Sequence, residues 1–201
     1  MTTATESSLP LRALGRSGLR VPAIGVGTNR WGRRGKAPDR LCPVFSAALD
    51  AGANLFDTAE LYLGSEQAIG VCRRRDPRPA LLVTKFAPYP TRLSATSVQR
   101  ALAGSLARLG GDAVDLYLIH FPFSLIGIER LLDGLAEVAQ AGRARAVGVS
   151  NFSARQMHVA AERLDRQGVV LAANEVSICR CRTPRRDGRQ HLPACVDALG
   201  R

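Results

Sequence analysis

Four ionisable residues of four different types follow apolar segments in the first 120 residues of this 201-residue chain. Asp57 lies near the end of the segment ANLFDT, Tyr62 comes five residues later, Lys85 follows Leu-Leu-Val-Thr, and His120 follows Leu-Ile. A neighbouring ammonium favours the phenolate form of tyrosine, so Lys85 can make Tyr62 a better proton donor while Asp57 holds the ammonium in place. His120 can orient a carbonyl or relay a proton. Together the four residue types fit the reduction of a carbonyl group, in which an acid stands beside the oxygen while a hydride reaches the carbon.

Each of these residues also has a purely structural interpretation. Asp57 can cap the following segment, Lys85 can be a surface lysine, and Tyr62 can be ordinary half-buried packing. His120 can be a hydrogen-bonded structural histidine. Four such residues at successive strand ends or loops are harder to explain by packing alone, and we interpret them as one catalytic group. The sequence has no metal-ligand spacing, so we expect no metal and infer that the hydride comes from an organic cofactor.

The cysteines and the N-terminal residues bear on the compartment. Cys179 and Cys181 are separated by one residue, which is too close for an ordinary zinc knuckle. Residues 1–10 lack the basic and apolar segments of a secretory signal. No apolar run approaches the ~18 residues of a membrane span. We therefore expect a cytoplasmic location, no membrane partner, and five cysteines in the reduced state.

The net charge of +11 raises the alternative of a nucleic-acid partner. Of the 28 basic residues only Lys36 and Lys85 are lysine, which indicates a compositional bias toward arginine rather than a phosphate-binding patch. Residues 180–189 form an arginine cluster, and aromatic residues, which would stack on bases, make up 5% of the chain. We expect no nucleic-acid partner; an arginine-rich binder would instead show affinity that falls steeply with salt.

The elements that must position these side chains form a repeating pattern. Apolar segments begin near residues 23, 53, 80, 114, 144 and 169, and the intervals of 25 to 34 residues match one strand followed by one helix. The segments are apolar on both faces, as in parallel strands covered by helices. Helical patterns cover residues 94–109 and 128–138, and a capping box opens another helix at Ser153. The sequence thus predicts six βα units after a hairpin at residues 11–21.

Two α/β architectures contain such units. A doubly wound sheet has a Gly-x-Gly-x-x-Gly loop after its first strand, but here Arg30 occupies the place of the third glycine. A (β/α)8 barrel of the TIM type fits better, although eight units and the hairpin would need roughly 255 residues. We therefore predict an incomplete TIM-type barrel over residues 11–201, preceded by a disordered leader over residues 1–10.

Several motifs in one order resemble those of the aldo-keto reductase family. They are Asp57-Thr58-Ala59-Glu60-Leu61-Tyr62, Lys85 after its apolar strand, Asp115-Leu116-Tyr117-Leu118-Ile119-His120 and Gly148-Val149-Ser150-Asn151-Phe152. Gly25-Val26-Gly27-Thr28 with Trp31-Gly32 is similar to the family's first strand and loop. The resemblance covers roughly residues 11–200. It implies a (β/α)8 barrel with an N-terminal hairpin, NADPH as cofactor, and the reduction of an aldehyde or ketone to an alcohol.

The resemblance also implies a role for each motif residue. Tyr62 would be the general acid, tuned by Lys85 and Asp57, and His120 would orient the carbonyl. The residues implied to contact the cofactor are Gly27, Thr28, Asn29, Asp57, Ser150, Asn151 and Glu175, with Ser150 and Asn151 on the nicotinamide carboxamide. Trp31 would form an apolar wall for the substrate.

The resemblance weakens after the sixth strand. The family usually reads Asn-Gln-Val there, and this chain reads Asn174-Glu175-Val176, so that a carboxyl replaces the amide that meets the carboxamide. Residues 192–200 resemble the family's next helix, and the last two strands do not follow. With them the loop that clamps the adenosine 2′-phosphate is missing.

The missing units lead to expectations about this chain. We expect the edge around residues 169–173 to be unpaired and inner-layer side chains to face water, so that the chain is prone to aggregate or partly molten and shows no measurable NADPH-dependent reduction. Two functions remain open at this point. One is an NADPH-dependent carbonyl reductase, and the other is a non-catalytic member that binds the cofactor or a partner.

Overall fold

In the computed structural model, which describes residues 9–32, 38–177 and 195–198, strands and helices alternate along the chain. The strands are β1 (Leu11–Ala13), β2 (Arg20–Pro22), β3 (Val26–Gly27), β4 (Leu55–Asp57), β5 (Leu81–Phe86), β6 (Val114–Ile119), β7 (Ala144–Ser150), β8 (Leu171–Val176) and β9 (Cys195–Ala198). The helices are α1 (Cys42–Asp50), which follows a 3₁₀ turn over Pro38–Leu41, α2 (Ser65–Arg75), α3 (Thr96–Leu109), α4 (Ile128–Gln140) and α5 (Ala154–Asp165).

The strands form two sheets. β1 and β2 pair as the predicted antiparallel hairpin. β3 to β8 lie side by side in chain order and are all parallel, with a helix after each of the first five. This arrangement confirms the α/β prediction of an incomplete TIM-type barrel with six parallel strands.

The helix boundaries follow from the residues that cap them. At the start of α5 the backbone N–H of Gln156 donates to Ser153 Oγ at 3.4 Å, and the N–H of Ser153 donates to Gln156 Oε1 at 2.9 Å, which is the predicted capping box. α3 begins two residues later than predicted, and it ends at Gly110, whose φ of 71° closes the helix in the left-handed conformation.

The two faces of the parallel sheet pack against different partners. The outer face packs on the helices in a large apolar core. On the inner face Leu14 and Leu19 of the hairpin meet side chains of β5 to β8, namely Val83, Leu116, Leu118, Ala146, Ala172 and Ala173. All of these are at most 5% exposed. The expectation that inner-layer side chains face water is therefore wrong for these residues, because the hairpin closes this end of the sheet.

The outer edge of β8 is paired as well. β9 runs antiparallel to β8, with Ala173 opposite Ala198 and Val176 opposite Cys195. The expected open edge is thus wrong over Ala173, and the helix that the resemblance implies at residues 192–200 is a strand at 195–198. The edge of an unpaired strand carries backbone N–H and C=O groups without hydrogen bonds. A returning antiparallel strand such as β9 supplies those hydrogen bonds, whereas a helix does not.

One cysteine prediction is also wrong. Cys42 at the start of α1 and Cys72 in α2 form a disulfide with a Cα–Cα distance of 4.8 Å. Both residues are buried between the two helices, and no sequence spacing pointed to this pairing.

Some predictions concern residues outside the described ranges. These are the leader over residues 1–8, the Lys36 position, the arginine cluster at 180–189, and Cys179 and Cys181. Within the described ranges Pro10 accepts a backbone hydrogen bond from Ala23. In the same part of the chain, no helix combines the length and the apolar character that crossing a bilayer demands.

Candidate active site

The four residues selected from the sequence meet at the carboxyl ends of the strands. Asp57 ends β4, Lys85 lies near the end of β5, and His120 directly follows β6. Tyr62 lies in the turn before α2. Its ring is 5.6 Å from the His120 ring, edge to face, and the Lys85 Nζ atom is 5.2 Å from the centre of the Tyr62 ring. The structure therefore brings all four to one mouth of the sheet.

The alternation of β5 explains the position of Lys85. Val83 contributes to the inner core, and Thr84 and Phe86 point to the helix side, so Lys85 points inward two residues after Val83. Its side chain is fully buried. The ammonium forms an ion pair with Asp57 and donates to the Thr58 carbonyl oxygen at 3.0 Å.

The Lys85 ammonium keeps its charge despite this burial. Burial lowers the pKa of Lys85, but the negative charges of Asp57 and Glu175 outweigh it, and the net pKa is raised above that of a free lysine. The site thus contains a buried ammonium, charged at neutral pH, beside the phenol.

The phenol of Tyr62 does not follow the sequence-based expectation. Burial raises the pKa of Tyr62, and this effect exceeds the lowering by the Lys85 ammonium, so the net pKa lies above the ordinary value. Asp57 and Glu175 add to the increase. Tyr62 therefore holds its proton at neutral pH, as a proton donor must before the reaction.

The imidazole of His120 is neutral at physiological pH. Burial, aided by the nearby Lys85 charge, lowers the pKa of His120 to about 4. Its backbone is fixed by a hydrogen bond to the Phe86 carbonyl at 2.9 Å, and its ring stacks on Phe121 with 4.3 Å between ring centres. The buried Nδ1 atom has no hydrogen-bond partner among the described residues. A neutral imidazole carries one ring N–H, and that N–H can donate a hydrogen bond to a carbonyl group.

The loop that carries Tyr62 is held by a pair that the sequence analysis did not select. Glu60 forms a nearly buried ion pair with Arg92, and its carboxylate also accepts from the Ala87 backbone N–H. The Arg92 guanidinium lies 4.7 Å from the Phe86 ring centre. Glu60 stands inside the motif that ends in Tyr62, but no sequence signal connects it to Arg92. The pair links the Tyr62 loop to the segment after β5.

Two of the expected cofactor residues end β7. Asn151 has a left-handed φ of 62°, which turns its amide back so that Nδ2 donates to the His120 carbonyl and to Ser150 Oγ, both at 3.0 Å. Ser150 Oγ in turn donates to the Glu175 carbonyl at 3.0 Å. Asn151 is exposed, and its amide oxygen makes no hydrogen bond to the described residues. That oxygen can accept from an amide of a bound molecule.

The residues from the end of β3 onward, starting at Gly27, divide into open and buried positions. Gly27 and Asn29 are exposed, and a side chain at Gly27 would meet nothing within 4 Å. Thr28 is fully buried. Its hydroxyl donates a hydrogen bond to the Asp57 carbonyl at 2.8 Å and forms a second hydrogen bond with Ser65 Oγ at 2.6 Å. Trp31 is 8% exposed and packs edge to face on Phe56. The indole therefore offers little free surface to a substrate.

Glu175 joins the charged cluster rather than standing apart from it. Its side chain is 8% exposed, and Oε2 lies 3.3 Å from Lys85 Nζ. Burial raises the pKa of Glu175 to about 7, against the attraction of Lys85. The sequence selected Glu175 as a cofactor contact, and its proximity to Lys85 was not foreseen.

The fold and the site together define a TIM-type βα protein with a buried lysine, a phenol and a neutral imidazole at the carboxyl mouth. The model of the Aldo/keto reductase family matches residues 23–199. The chain belongs to the aldo-keto reductase family.

Individual relatives agree with this assignment. The chain is similar to the 6-dehydroglucose reductase of Novosphingobium aromaticivorans, with 36% identity over 75% of this chain and 56% of that protein. A thermostable aldo-keto reductase in complex with the inhibitor epalrestat superimposes with a TM-score of 0.74 and 32% identity, over 85% of this chain and 63% of that one. An aldo-keto reductase of Bombyx mori in complex with NADP gives a TM-score of 0.71 and 26% identity, over 85% and 59%. The chain thus spans little more than half the length of these relatives.

Proposed function

We propose that the protein reduces an aldehyde or ketone to an alcohol with NADPH as the hydride donor. The observation that carries this proposal is the convergence of Asp57, Tyr62, Lys85 and His120 at one mouth of the sheet. A binding module has no need of a buried ammonium beside a protonated phenol and a neutral imidazole. This favours turnover over the non-catalytic alternative.

The residues present fit a nicotinamide cofactor. The amide oxygen of Asn151 has no hydrogen bond to the described residues, and Gly27 and Asn29 leave open space after β3. Related structures contain NADP or NADPH. When bound, the reduced nicotinamide supplies a hydride, that is, a proton with two electrons, to the carbonyl carbon. Asn151 would meet the carboxamide through its amide oxygen, with Ser150 holding the Asn151 amide, and Gly27 and Asn29 would line the cofactor on either side of the buried Thr28.

The side chains of this protein handle the remaining proton. Tyr62 donates its phenolic proton to the carbonyl oxygen as the C–O double bond becomes a single bond, which gives the alcohol and leaves a phenolate. Lys85, held by Asp57, stabilises that phenolate by its charge. His120 is neutral and donates a hydrogen bond to the carbonyl oxygen, which fixes the carbonyl beside Tyr62.

The proposal extends to the setting of the enzyme. We propose that residues 11–201 form one βα-barrel domain that acts on a small carbonyl compound, with no nucleic-acid or membrane partner. Cytoplasm is the proposed compartment, since the reaction draws on NADPH, although a disulfide such as Cys42–Cys72 is more usual in an oxidising compartment.

The test is the substitution Tyr62→Phe in protein expressed from its complete reading frame. We expect carbonyl reduction to fall about 100- to 10,000-fold, the range for loss of a general acid, with NADPH affinity unchanged. Tyr89→Phe is the matched control, since Tyr89 lies outside the group of four, and it should retain activity. Equal loss of activity and NADPH affinity in Tyr62→Phe would show a structural role for Tyr62. Absence of reduction in the unsubstituted protein over a panel of aldehydes and ketones would refute the proposed function.

A further inference from the structure

The Lys85 ammonium faces more acceptors than it has protons. An ammonium carries three N–H groups. Asp57, the Thr58 carbonyl at 3.0 Å and Glu175 Oε2 at 3.3 Å already surround Nζ. The Tyr62 phenol is a fourth group beside the same nitrogen, with its ring centre 5.2 Å away. Glu175 and Tyr62 therefore compete for one ammonium.

The backbone of Glu175 is fixed beside the cluster. Its carbonyl accepts from Ser150 Oγ at 3.0 Å and from the Asn151 N–H at 2.9 Å, and β9 pairs along its other side. The strand that carries Glu175 cannot move away from Lys85 without breaking these contacts. Competition at Lys85 is resolved by a change of charge rather than by movement of the strand.

The charge count of the cluster shows where a proton is most easily gained. Asp57 and Glu175 provide two carboxylates and Lys85 provides one ammonium, while Tyr62 and the neutral His120 add no charge. With both carboxylates ionised the cluster has an uncompensated negative charge in a largely buried place, which is costly. Asp57 is 23% exposed and Glu175 only 8%, so Glu175 gains more by accepting a proton.

We propose that Glu175 is a positioning residue that competes with Tyr62 for Lys85 and releases the ammonium to the phenol when it takes up a proton. The catalytic consequence rests on the proposed function: carbonyl reduction proceeds in the protein molecules whose Glu175 is protonated. Ionised Glu175 holds one Lys85 proton and adds a negative charge beside Tyr62, which makes the phenol a weaker acid. Protonated Glu175 does neither.

The direction of the pH dependence follows. Because burial raises the pKa of Glu175 to about 7, the carboxyl is protonated below that pH and ionised above it. The pKa of Tyr62, which burial raises, is raised further by ionised Glu175. We expect carbonyl reduction to fall about tenfold as the pH rises from about 6 to about 8, and to be flat in Glu175→Gln.

The first test needs no turnover. Infrared difference spectra between acid and alkaline pH should show a protonated carboxyl that disappears near pH 7 and is missing in Glu175→Gln. In an ultraviolet titration, with Tyr62→Phe to identify its signal, Tyr62 should ionise at lower pH in Glu175→Gln than in the unsubstituted protein. Glu137→Gln removes the same charge at an exposed position of α4 and should change neither result.

The outcomes separate the inference from the proposed function. A carboxyl titration near neutrality that persists in Glu175→Gln, or an unchanged Tyr62 titration, overturns the competition at Lys85. If both spectroscopic results hold and the protein reduces no carbonyl compound, the proposed function fails and the competition is supported. If reduction occurs with the same pH profile in Glu175→Gln as in the unsubstituted protein, the catalytic part is overturned.

Discussion

Each face of β5 carries a buried cluster of charged residues: an outer cluster around Glu66 and an inner cluster around Lys85. The two clusters differ in whether the number of hydrogen-bond donors equals the number of acceptors. On the outer face Thr84 donates to Glu66 Oε1 at 2.6 Å, and Arg108 donates to Oε2 at 2.6 Å. On the inner face the neighbouring residue Lys85 meets Asp57, Glu175 and the Tyr62 ring. The adjacent residues Thr84 and Lys85 thus belong to two clusters on opposite faces of the strand.

The difference lies in the balance of charges and donors. In the outer cluster one carboxylate faces one guanidinium, and each oxygen has its own donor. In the inner cluster two carboxylates and a phenol share one ammonium, and the nearby His120 Nδ1 has no partner among the described residues. A buried polar group whose hydrogen bonds are all made stabilises the fold. A buried group that lacks a partner can take up or release a proton and can bind a ligand.

The largest effect of breaking the inner cluster is expected for Lys85→Met. It leaves Asp57 and the buried Glu175 without a cation, and we expect the free energy of unfolding to fall by about 3 kcal/mol at about pH 8. The folded-state pKa of Glu175 is raised above its unfolded value, so the penalty is smaller at about pH 5, where Glu175 is protonated in the folded state of both the unsubstituted and the Lys85→Met protein. Denaturant titrations at the two pH values measure this difference. Adding Glu175→Gln to Lys85→Met should restore part of the loss, and a loss independent of pH would contradict the unmatched charge.

A smaller effect is expected for Glu66→Gln in the outer cluster. Glu66 is 1% exposed, but the Arg108 side chain is 32% exposed and can be solvated when its partner is neutral. We expect a loss of about 1–2 kcal/mol, with an unchanged pH profile of carbonyl reduction. Denaturant unfolding and steady-state kinetics on the same preparation check this. A changed pH profile would mean that the charge of Glu66 affects the residues at the mouth. It would contradict the conclusion that the two clusters act independently.

The smallest effect is expected for Thr84→Val, which keeps the shape of the side chain and removes one donor to Glu66. Arg108 remains to hold the carboxylate, and we expect a loss of about 1 kcal/mol. A double-mutant cycle with Glu66→Gln should show coupling between the two positions. Additive effects of the two substitutions would place Thr84 outside the outer cluster.

Much of the fold follows from patterns that lie close together in the chain. The spacing of apolar segments predicts six parallel strands because each strand and its covering helix occupy a fixed length of chain. Ser153 and Gln156 predict the start of α5 because a capping box involves only neighbouring residues. Asp57, Lys85 and His120 are predicted to meet because carboxyl ends of parallel strands lie at one mouth of a barrel. The structure brings these residues together as the sequence indicates, and their roles remain predictions.

Other features depended on contacts that only the tertiary structure creates. The sequence identifies Glu175 as an unusual residue. Its proximity to Lys85 depends on β5 and β8, which are far apart in the chain, directing these side chains to the same place. The net pKa of Tyr62 is raised where the charge of Lys85 alone predicts the opposite, because burial depends on everything packed around the ring. The pairing of Cys42 with Cys72 and the antiparallel return of β9 follow in the same way from which surfaces the folded chain brings together. Sequence determined which chemical groups are present and in what order, whereas tertiary structure decided which of them share a proton.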